Sequence, residues 1–351
     1  MRNLKKILAL VLALVMSLSL MATAGASSFP DVDAENPYAT AIEVLDELKV
    51  FQGYKEDGTF RPTETLNRAQ AAVLVYRIAT GDVEDKYLDN YTYMQQSKFT
   101  DLDGYNWAKG YINYCQNAGI VVGTSSTTFD PGAKVTGYQL LVMLLRTLGY
   151  GKAGEFADPK GWELQTATIA EREGITENVT TGDFGAPAPR QMVAEILFRG
   201  LLTETVEYSA LTPGGYTKGE TLGMREFKLE EIEGVIVGNE FADLNSDQVL
   251  AEGKTALQVE GEDAPRTLNI TSLLTDVGES RLVYTQNTSK VLSLADTGKN
   301  KVTEFGHACD ISTPSKFNDV AEMPAASDIE YYRNFDRAGY WTSDYRIEYE
   351  L

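Results

Sequence analysis

The 351-residue sequence carries 31 basic and 51 acidic side chains, a formal net charge of −20, and 43% hydrophobic residues. This apolar fraction is ordinary for a globular protein that buries a core. The acidic balance argues against nucleic-acid binding, which requires a basic surface, and it opposes non-specific attraction to an anionic polymer. Any binding to such a polymer must therefore depend on local cationic pockets.

Residues 1–26 have the pattern of a cleavable signal peptide. Arg2, Lys5 and Lys6 precede an apolar run that ends at Leu20, and small residues follow. The run is shorter than the ~20 residues that a membrane span needs. The sequence therefore predicts export and a mature chain without a membrane span. Removing the three cations leaves 28 basic against 51 acidic side chains, a net charge of −23.

Three segments share one order of short motifs, which indicates internal repeats. Each copy opens with a Phe-x-Asp motif, continues through a Gly-rich loop and a turn that contains Phe, and closes with a motif ahead of an apolar helix. The closing motif reads L-N-R-A-Q, V-T-G-Y-Q and A-P-R-Q in the three copies. The register is consistent, since three pairs of positions are each nine residues apart: Arg68 and Arg77, Gly137 and Arg146, Arg190 and Arg199.

Each copy is predicted to form a helix–loop–helix unit. In the first copy Tyr38, Ile42, Leu45 and Leu48 recur at steps of three and four residues, as on one buried helix face. Such a pair of helices cannot bury its apolar face alone, so the copies must pack against one another. Cys115 falls among the apolar positions of a helix in the second copy and is predicted to be a core residue.

After the repeats the apolar runs become short and β-type, and two of them, Arg281–Thr285 and Val291–Leu294, suggest a hairpin. In the third copy, Phe184 is assigned to the turn that contains Phe60 and Phe129 in the first two copies. The expected organisation is a signal peptide at 1–26, repeats at 27–80, 99–150 and 151–203, an insertion at 81–98, a linker at 204–223, a β-rich domain at 224–300 and an irregular aromatic tail at 301–351.

The motif order F-x-D-V, W-A, G-I-x-x-G, G-T-F-x-P and an arginine motif before an apolar helix resembles the S-layer homology family. The resemblance covers residues 29–202 and is weaker in the third copy. It implies an α+β chain with an N-terminal, all-α, pseudo-threefold bundle of three repeats. It also implies non-covalent binding to secondary cell-wall polysaccharide, often pyruvylated, and a location at the cell wall or S-layer of a Gram-positive type of bacterium.

In that family the motif arginine contributes to a pocket for an anionic ligand, and a guanidinium binds a carboxylate through two parallel hydrogen bonds. Copies one and three keep this arginine as Arg68 and Arg190. Copy two has Gly137 instead, with Lys134 nearby as a partial substitute, so we expect one or two competent grooves. The candidate polysaccharide-binding residues are Arg68, Arg190, Asn67, Gln70, Lys134 and Trp107.

Each of these assignments has a structural alternative. The two arginines could pair with neighbouring carboxylates, Asp31 or Asp158, and Trp107 could pack in the core at a helix start instead of stacking on a sugar ring. A carboxylate or hydroxyl just before a helix caps it by accepting from unpaired N–H groups. We therefore predict structural or capping roles for Asp31, Asp101, Asp158 and Thr136.

No catalytic residue, metal ligand or cofactor is predicted. A single histidine, His307, cannot build a histidine-based zinc site or a convincing nucleophilic triad. The expected function is a non-enzymatic wall anchor whose partners are the polysaccharide, peptidoglycan and other surface-layer subunits. Two alternatives stay open: a carbohydrate-active enzyme with its site in residues 224–351, tethered by the repeats, and repeats that make lattice contacts between proteins.

Overall fold

The computed structural model describes residues 29–33, 35–88, 97–180, 182–212, 215–246, 248–304 and 345–348. The predicted signal peptide lies outside the described residues. The chain divides into two compact units, of which the first comprises residues 27–230 with 286–288, and the second begins at Glu231. The architecture is mixed α+β, with helices concentrated in the first unit and strands in the second.

Each of the three predicted copies contributes two α-helices. The first helix of each copy packs against the second helix of another: α1 on α6, α3 on α2, and α5 on α4. The apolar face of each first helix is thus covered by a neighbouring copy, as its periodicity requires. The bounds are α1 Ala39–Glu47, α2 Arg68–Thr80, α3 Lys109–Asn117, α4 Gly137–Leu148, α5 Trp162–Arg172 and α6 Arg190–Leu202.

Local signals fix both ends of α2 and α4. Asn67 and Thr136 each accept a hydrogen bond from the backbone three residues on, where a glutamine side chain returns one to the cap backbone. This capping box satisfies two N–H groups that a helix start leaves unpaired. Gly81 and Gly149 end the helices in the left-handed conformation, which glycine adopts without a steric penalty.

Three equivalent backbone hydrogen bonds join the copies in a ring. In each, the backbone N–H of the second residue of one copy's second helix donates to a backbone carbonyl of another copy. That carbonyl belongs to the residue six positions before the motif arginine, or before Gly137 in copy two. Copy one therefore contacts copy two, copy two contacts copy three, and copy three contacts copy one. The donor and acceptor pairs are Ala69 N to Pro131 O (3.1 Å), Tyr138 N to Phe184 O (2.9 Å) and Gln191 N to Pro62 O (2.9 Å).

This ring revises the alignment of the third copy. Phe184 lies where the other copies have Pro62 and Pro131, rather than at the turn phenylalanine that precedes each proline by two residues. Phe60 and Phe129, the turn phenylalanines of the first two copies, are fully buried. The pattern misled because the third copy has Gly182 at the position of Phe60 and Phe129, and its phenylalanine comes two residues later.

Residues 204–208 and 216–227 form regular secondary structure. Strands β1 (Glu204–Tyr208) and β2 (Tyr216–Thr221) pair antiparallel, and helix α7 (Leu222–Phe227) follows. This differs from the linker expected at 204–223. The segment packs on the ends of α2 and α4, because a Cβ on Gly81 would lie 2.6 Å from Glu226 O and a Cβ on Gly149 would collide with Val206 O.

The second unit is built on a five-stranded sheet with the order β5-β4-β3-β6-β7. β6 and β7 are adjacent, as the predicted hairpin requires, and Asn287 and Thr288 between them adopt the left-handed conformation that tight turns use. The strands are β3 Leu229–Gly238, β4 Thr255–Gln258, β5 Arg266–Leu268, β6 Ser280–Gln286 and β7 Lys290–Asp296. The buried core comprises Ile236, Leu257, Leu268, Val277, Val283 and Leu294.

Other predicted segments are described in part. Residues 81–88 of the predicted insertion are described, and there Asp82 accepts a hydrogen bond from the Tyr76 hydroxyl at 2.6 Å. In the predicted tail, β8 (Lys301–Glu304) pairs antiparallel with β9 (Tyr345–Glu348), whereas His307 lies outside the described residues. Cys115 is a buried free cysteine. Throughout the described ranges, each helix is too short or too polar to cross a bilayer.

Candidate functional site

Arg68 does not project into solvent. It is 5% exposed, and its guanidinium reaches from copy one into copy two. Nε donates to Phe129 O at 2.9 Å, Nη2 donates to Val122 O at 3.1 Å, and the guanidinium carbon lies 4.6 Å from the centre of the Phe129 ring. Burial lowers the pKa of Arg68 from its usual value, although an arginine remains charged at neutral pH.

Arg190 makes the equivalent contacts from copy three to copy one. Nε donates to Phe60 O at 2.6 Å and Nη2 to Gln52 O at 3.1 Å. The guanidinium carbon lies within 5 Å of the ring centres of Phe51, Tyr54 and Phe60. Both arginines thus bond to backbone carbonyls of another copy, instead of the carboxylate partner that the structural alternative expected.

The aspartates that open copies one and two hold turns rather than cap helices. Asp31 accepts from the backbone N–H groups of Phe60 and Arg61, at 2.8 and 2.7 Å. Asp101 does the same for Phe129 and Asp130 in copy two, at 2.9 and 2.7 Å. In these two copies the carboxylate therefore joins the start of the copy to the turn about 30 residues later.

The other two predicted structural residues act locally. Asp158 accepts from Lys160 N, two residues on, at 2.9 Å. Thr136 caps α4 through the hydroxyl, which accepts from Gln139 N at 3.3 Å.

Replacing Asp101 with alanine is expected to lower the free energy of unfolding by about 2 to 4 kcal/mol, because two N–H groups lose a charged acceptor. Burial raises the pKa of Asp101, but the N–H donors of Phe129 and Asp130 outweigh it and hold the pKa below its usual value. The stabilisation is therefore full above about pH 4 and is lost as the pH falls through the lowered pKa.

Urea denaturation of Asp101→Ala at pH 7 and at pH 3 measures both effects, with exposed Asp103→Ala as the control. We expect the control to change stability by less than about 0.5 kcal/mol. An Asp101→Ala loss equally large at both pH values would contradict the assigned role of the carboxylate.

A groove of about 250 Å³ lies where parts of all three copies meet. Copy one contributes its loop and one side of α2, copy two contributes Trp107, and copy three contributes Arg190. Trp107 is 53% exposed, so it does not take the core position that was its alternative. The lining residues are Phe51, Gln52, Gly53, Leu66, Gln70, Val73, Leu74, Arg77, Trp107 and Arg190.

The chemistry of this groove is cationic and aromatic. Two guanidinium groups line it, from Arg77 and Arg190, and the lining contains no carboxylate side chain. Gln70 adds an amide, although its oxygen also accepts from Asn67 N at 2.9 Å in the capping box. On a protein of net charge −20, this arrangement creates the local cationic pocket that anion binding requires.

Arg77 is a groove residue that the repeat motifs did not single out as a binding residue. It lies in the last turn of α2, and its Nη1 donates to Val50 O at 3.2 Å. In the part of the chain that the structure describes, its Nε is buried and has no hydrogen-bond partner. The nine-residue spacing between Arg68 and Arg77 is visible in the sequence, but there it marks only the register of the repeats.

Two further candidates, Lys134 and Asn67, are not among the residues that line the groove. Lys134 donates to Thr65 O at 2.9 Å and pairs by a backbone bridge with Asn67, so it joins copies one and two and does not replace the missing arginine. At Gly137 itself a Cβ would lie 2.8 Å from Phe184 and 2.9 Å from Met192. Apolar groups therefore occupy the space beside this position.

Among the described residues, the structure contains no group of three or more His, Cys, Asp or Glu side chains arranged to hold a metal ion.

The S-layer homology domain model matches residues 28–72 and 98–140. The chain is 28% identical to a cell surface protein of Thermoanaerobacter kivui over 308 residues, which cover 87% of this chain and 37% of that protein. It is 26% identical to an S-layer protein of Bacillus licheniformis, over 76% of this chain and 30% of the relative. An endoglucanase from a Bacillus species is 31% identical over 31% of this chain and 12% of the enzyme.

The chain therefore spans about a third of the length of the two surface proteins. The two matched segments hold the Phe-x-Asp openings at Asp31 and Asp101, the turns that these aspartates fasten, and the starts of α2 and α4. Motif, geometry and family model agree on these segments, and we conclude that the chain carries S-layer homology domains at residues 28–72 and 98–140.

Proposed function

We propose that this chain is a cell-surface protein that attaches non-covalently to the cell wall by binding secondary cell-wall polysaccharide through its helical unit. The observation that carries the proposal is the groove, which offers two guanidinium groups, an amide and an exposed indole without a lining carboxylate. A guanidinium pair suits an anionic substituent on a sugar, such as a pyruvyl ketal, and an exposed indole offers a face for the sugar ring.

The helical unit is proposed to be a pseudo-threefold bundle of three S-layer homology repeats. The third repeat, residues 151–203, lies outside the segments that the family model matches. Its inclusion is supported by the ring of equivalent hydrogen bonds, in which Gln191 completes the circuit to Pro62. It is also supported by Arg190, which contacts copy one as Arg68 contacts copy two.

The relatives support attachment at the surface and leave the role of the second unit as a proposal. A relative from Acetivibrio thermocellus is named a cellulosome-anchoring protein, and it is 28% identical over 35% of this chain. We propose that the second unit is a structural, outward-facing part of the surface layer. The endoglucanase relative keeps a tethered enzyme as the alternative, and a paired carboxylate in a cleft of the second unit would favour it.

Trp107→Ala tests the proposal without disturbing the core, because this indole is half exposed. The full chain is expected to sediment with purified sacculi that retain their secondary polymer and to remain in solution with sacculi stripped of it. Trp107→Ala is expected to weaken sedimentation at least fivefold, about 1 kcal/mol. Leu164→Ala, at another exposed apolar residue, serves as the matched control and is expected to sediment normally.

Sedimentation that persists after the secondary polymer is removed would contradict polysaccharide binding. Equal sedimentation of Trp107→Ala and the wild-type chain would contradict binding of the polysaccharide in this groove.

A further inference from the structure

The second helices of the three copies each end with an arginine, nine residues after the motif position. These are Arg77 in α2, Arg146 in α4 and Arg199 in α6. Since the copies share one packing scheme, these arginines occupy equivalent places beside three potential grooves. Their surroundings nevertheless differ in ways that decide which guanidinium is available to a ligand.

Arg146 in copy two is shielded. The Phe156 ring lies 5.6 Å from its guanidinium carbon, and burial lowers the pKa of Arg146. Its Nη1 donates to Ile120 O at 3.5 Å, as Arg77 does to Val50 O in copy one. The Phe156 ring packs closely on the turn at Gly151, where a Cβ would lie 3.1 Å from it. An aromatic ring therefore lies over the guanidinium of Arg146, whereas Arg77 has no such ring contact among the described residues.

Arg199 in copy three is neutralised. Its Nε lies 2.9 Å from Glu195 Oε1, and the Glu195 side chain is 3% exposed. The equivalent position in copy one is Val73, an uncharged residue of the groove. Copy three faces Gly137 of copy two, whereas copy one faces Arg190 of copy three. Copy three therefore has no guanidinium at the position equivalent to Arg190, and its own Arg199 is paired with Glu195.

Arg77 is the copy-one member of this set. It lines the groove together with a second guanidinium, that of Arg190. Its Nε is buried and has no hydrogen-bond partner among the described residues. Arg77 also interacts with the Tyr111 hydroxyl, which in turn interacts with Asp85. Arg190 has Glu64 and Asp31 as charged neighbours, but neither carboxylate is among the residues that line the groove, so Arg77 and Arg190 are its charged lining groups.

We propose that the chain binds one compact anion, in the copy-one groove, and that Arg77 determines the choice of this groove over its two equivalents. This inference rests on the proposed polysaccharide function and specifies its stoichiometry and its charged contact. The anion is a carboxylate, as on a pyruvylated sugar, or a phosphate, as in a polyol-phosphate polymer. Both chemistries match a guanidinium pair.

Titration calorimetry of the full chain tests the inference with three probes: a 4,6-O-pyruvyl hexoside, its uncharged parent hexoside, and glycerol phosphate. We expect one molecule of a charged probe per chain and at least tenfold weaker binding of the uncharged hexoside. Whichever charged probe binds more tightly identifies the source of the anion. Arg77→Gln is expected to weaken that binding at least tenfold, and Arg77→Lys less, since lysine keeps the charge but not the planar fork.

Arg146→Gln is the matched control, because it makes the same substitution at the equivalent position of copy two. We expect it to change affinity by less than twofold. Equal weakening by Arg146→Gln and Arg77→Gln, or a stoichiometry of two or three, would overturn the single-groove inference. So would equal affinity for the charged and uncharged hexosides. Thermal unfolding of each variant separates a lost contact from a lost fold.

The two proposals fail differently. A chain that sediments with polymer-bearing sacculi but binds neither charged probe refutes the anion in this groove and leaves anchoring intact. A chain that binds a charged probe at one site but does not sediment refutes wall anchoring and leaves the groove assignment standing.

Discussion

Arg68→Ala is expected to lower the free energy of unfolding by about 3 to 5 kcal/mol. The substitution removes a buried guanidinium that donates to two carbonyls of another copy and packs on the Phe129 ring. It leaves a cavity, and it leaves the Phe129 carbonyl without this donor in a buried setting. Urea denaturation at neutral pH, followed by far-UV circular dichroism, measures the effect.

Arg61→Ala is the matched control for Arg68→Ala. Arg61 also contacts a ring and two carboxylates, but its side chain is 36% exposed. Exposed ion pairs contribute little, so we expect a loss of less than about 1 kcal/mol. A similarly small loss for Arg68→Ala would mean that the inter-copy contact does not stabilise the fold.

Binding experiments on the motif arginines must allow for this loss of stability. A double substitution of Arg68 and Arg190 removes both inter-copy bridges, so lost sedimentation would report unfolding as readily as a lost ligand contact. Trp107 and Arg77 are better probes, because both line the groove without bridging two copies through a pair of backbone carbonyls.

Arg199→Ala is expected to cost about 3 to 5 kcal/mol at pH 7, because it leaves the buried Glu195 carboxylate without its cationic partner. Burial raises the pKa of Glu195, while Arg199 acts to lower it. Removing the arginine therefore raises this pKa further. A raised carboxyl pKa favours the folded state at low pH and disfavours it as the pH rises through that pKa.

The loss caused by Arg199→Ala should accordingly shrink as the pH falls from 7 towards the ordinary glutamate pKa of about 4.3. Urea denaturation of the variant and the wild-type chain at pH 7 and pH 4.5 measures this difference. Glu195→Gln combined with Arg199→Ala serves as the control and should recover part of the stability at pH 7. A loss that does not depend on pH would contradict a buried, charged Glu195.

Features fixed by local sequence could be predicted here. Capping of α4 by Thr136 follows from the residue type that caps helices and its place before an apolar helix. The β6–β7 pairing follows from two short β-type runs separated by a tight turn. The order of motifs was sufficient to identify two segments that the family model matches.

Features that depend on contacts between copies could not be predicted in this way. Nothing local distinguishes a buried arginine from an exposed one, so the sequence predicts a ligand contact for Arg68, whereas in the structure its Nε and Nη2 donate to carbonyls of copy two. The strands of 204–221 were obscured by the glycine, threonine and proline residues around them, which also suit a linker. Phe156 and Glu195 distinguish the three grooves only after folding brings them beside Arg146 and Arg199.

The ring of copies has a mechanical consequence for an anchor. Arg190 stands at the first residue of α6, and the other end of this helix, about 20 Å away for 13 residues, continues into β1, β2 and α7 of the same unit. β1 packs on α4, and α7 packs on α2 and α6. Tension on the chain after Phe227 is therefore shared among these contacts and α6, whose Arg190 bonds to Phe60 and Gln52 of a segment 130 or more residues earlier. Pulling on the chain beyond the helical unit thus loads helices of all three copies at once, including α6, which carries the groove residue Arg190.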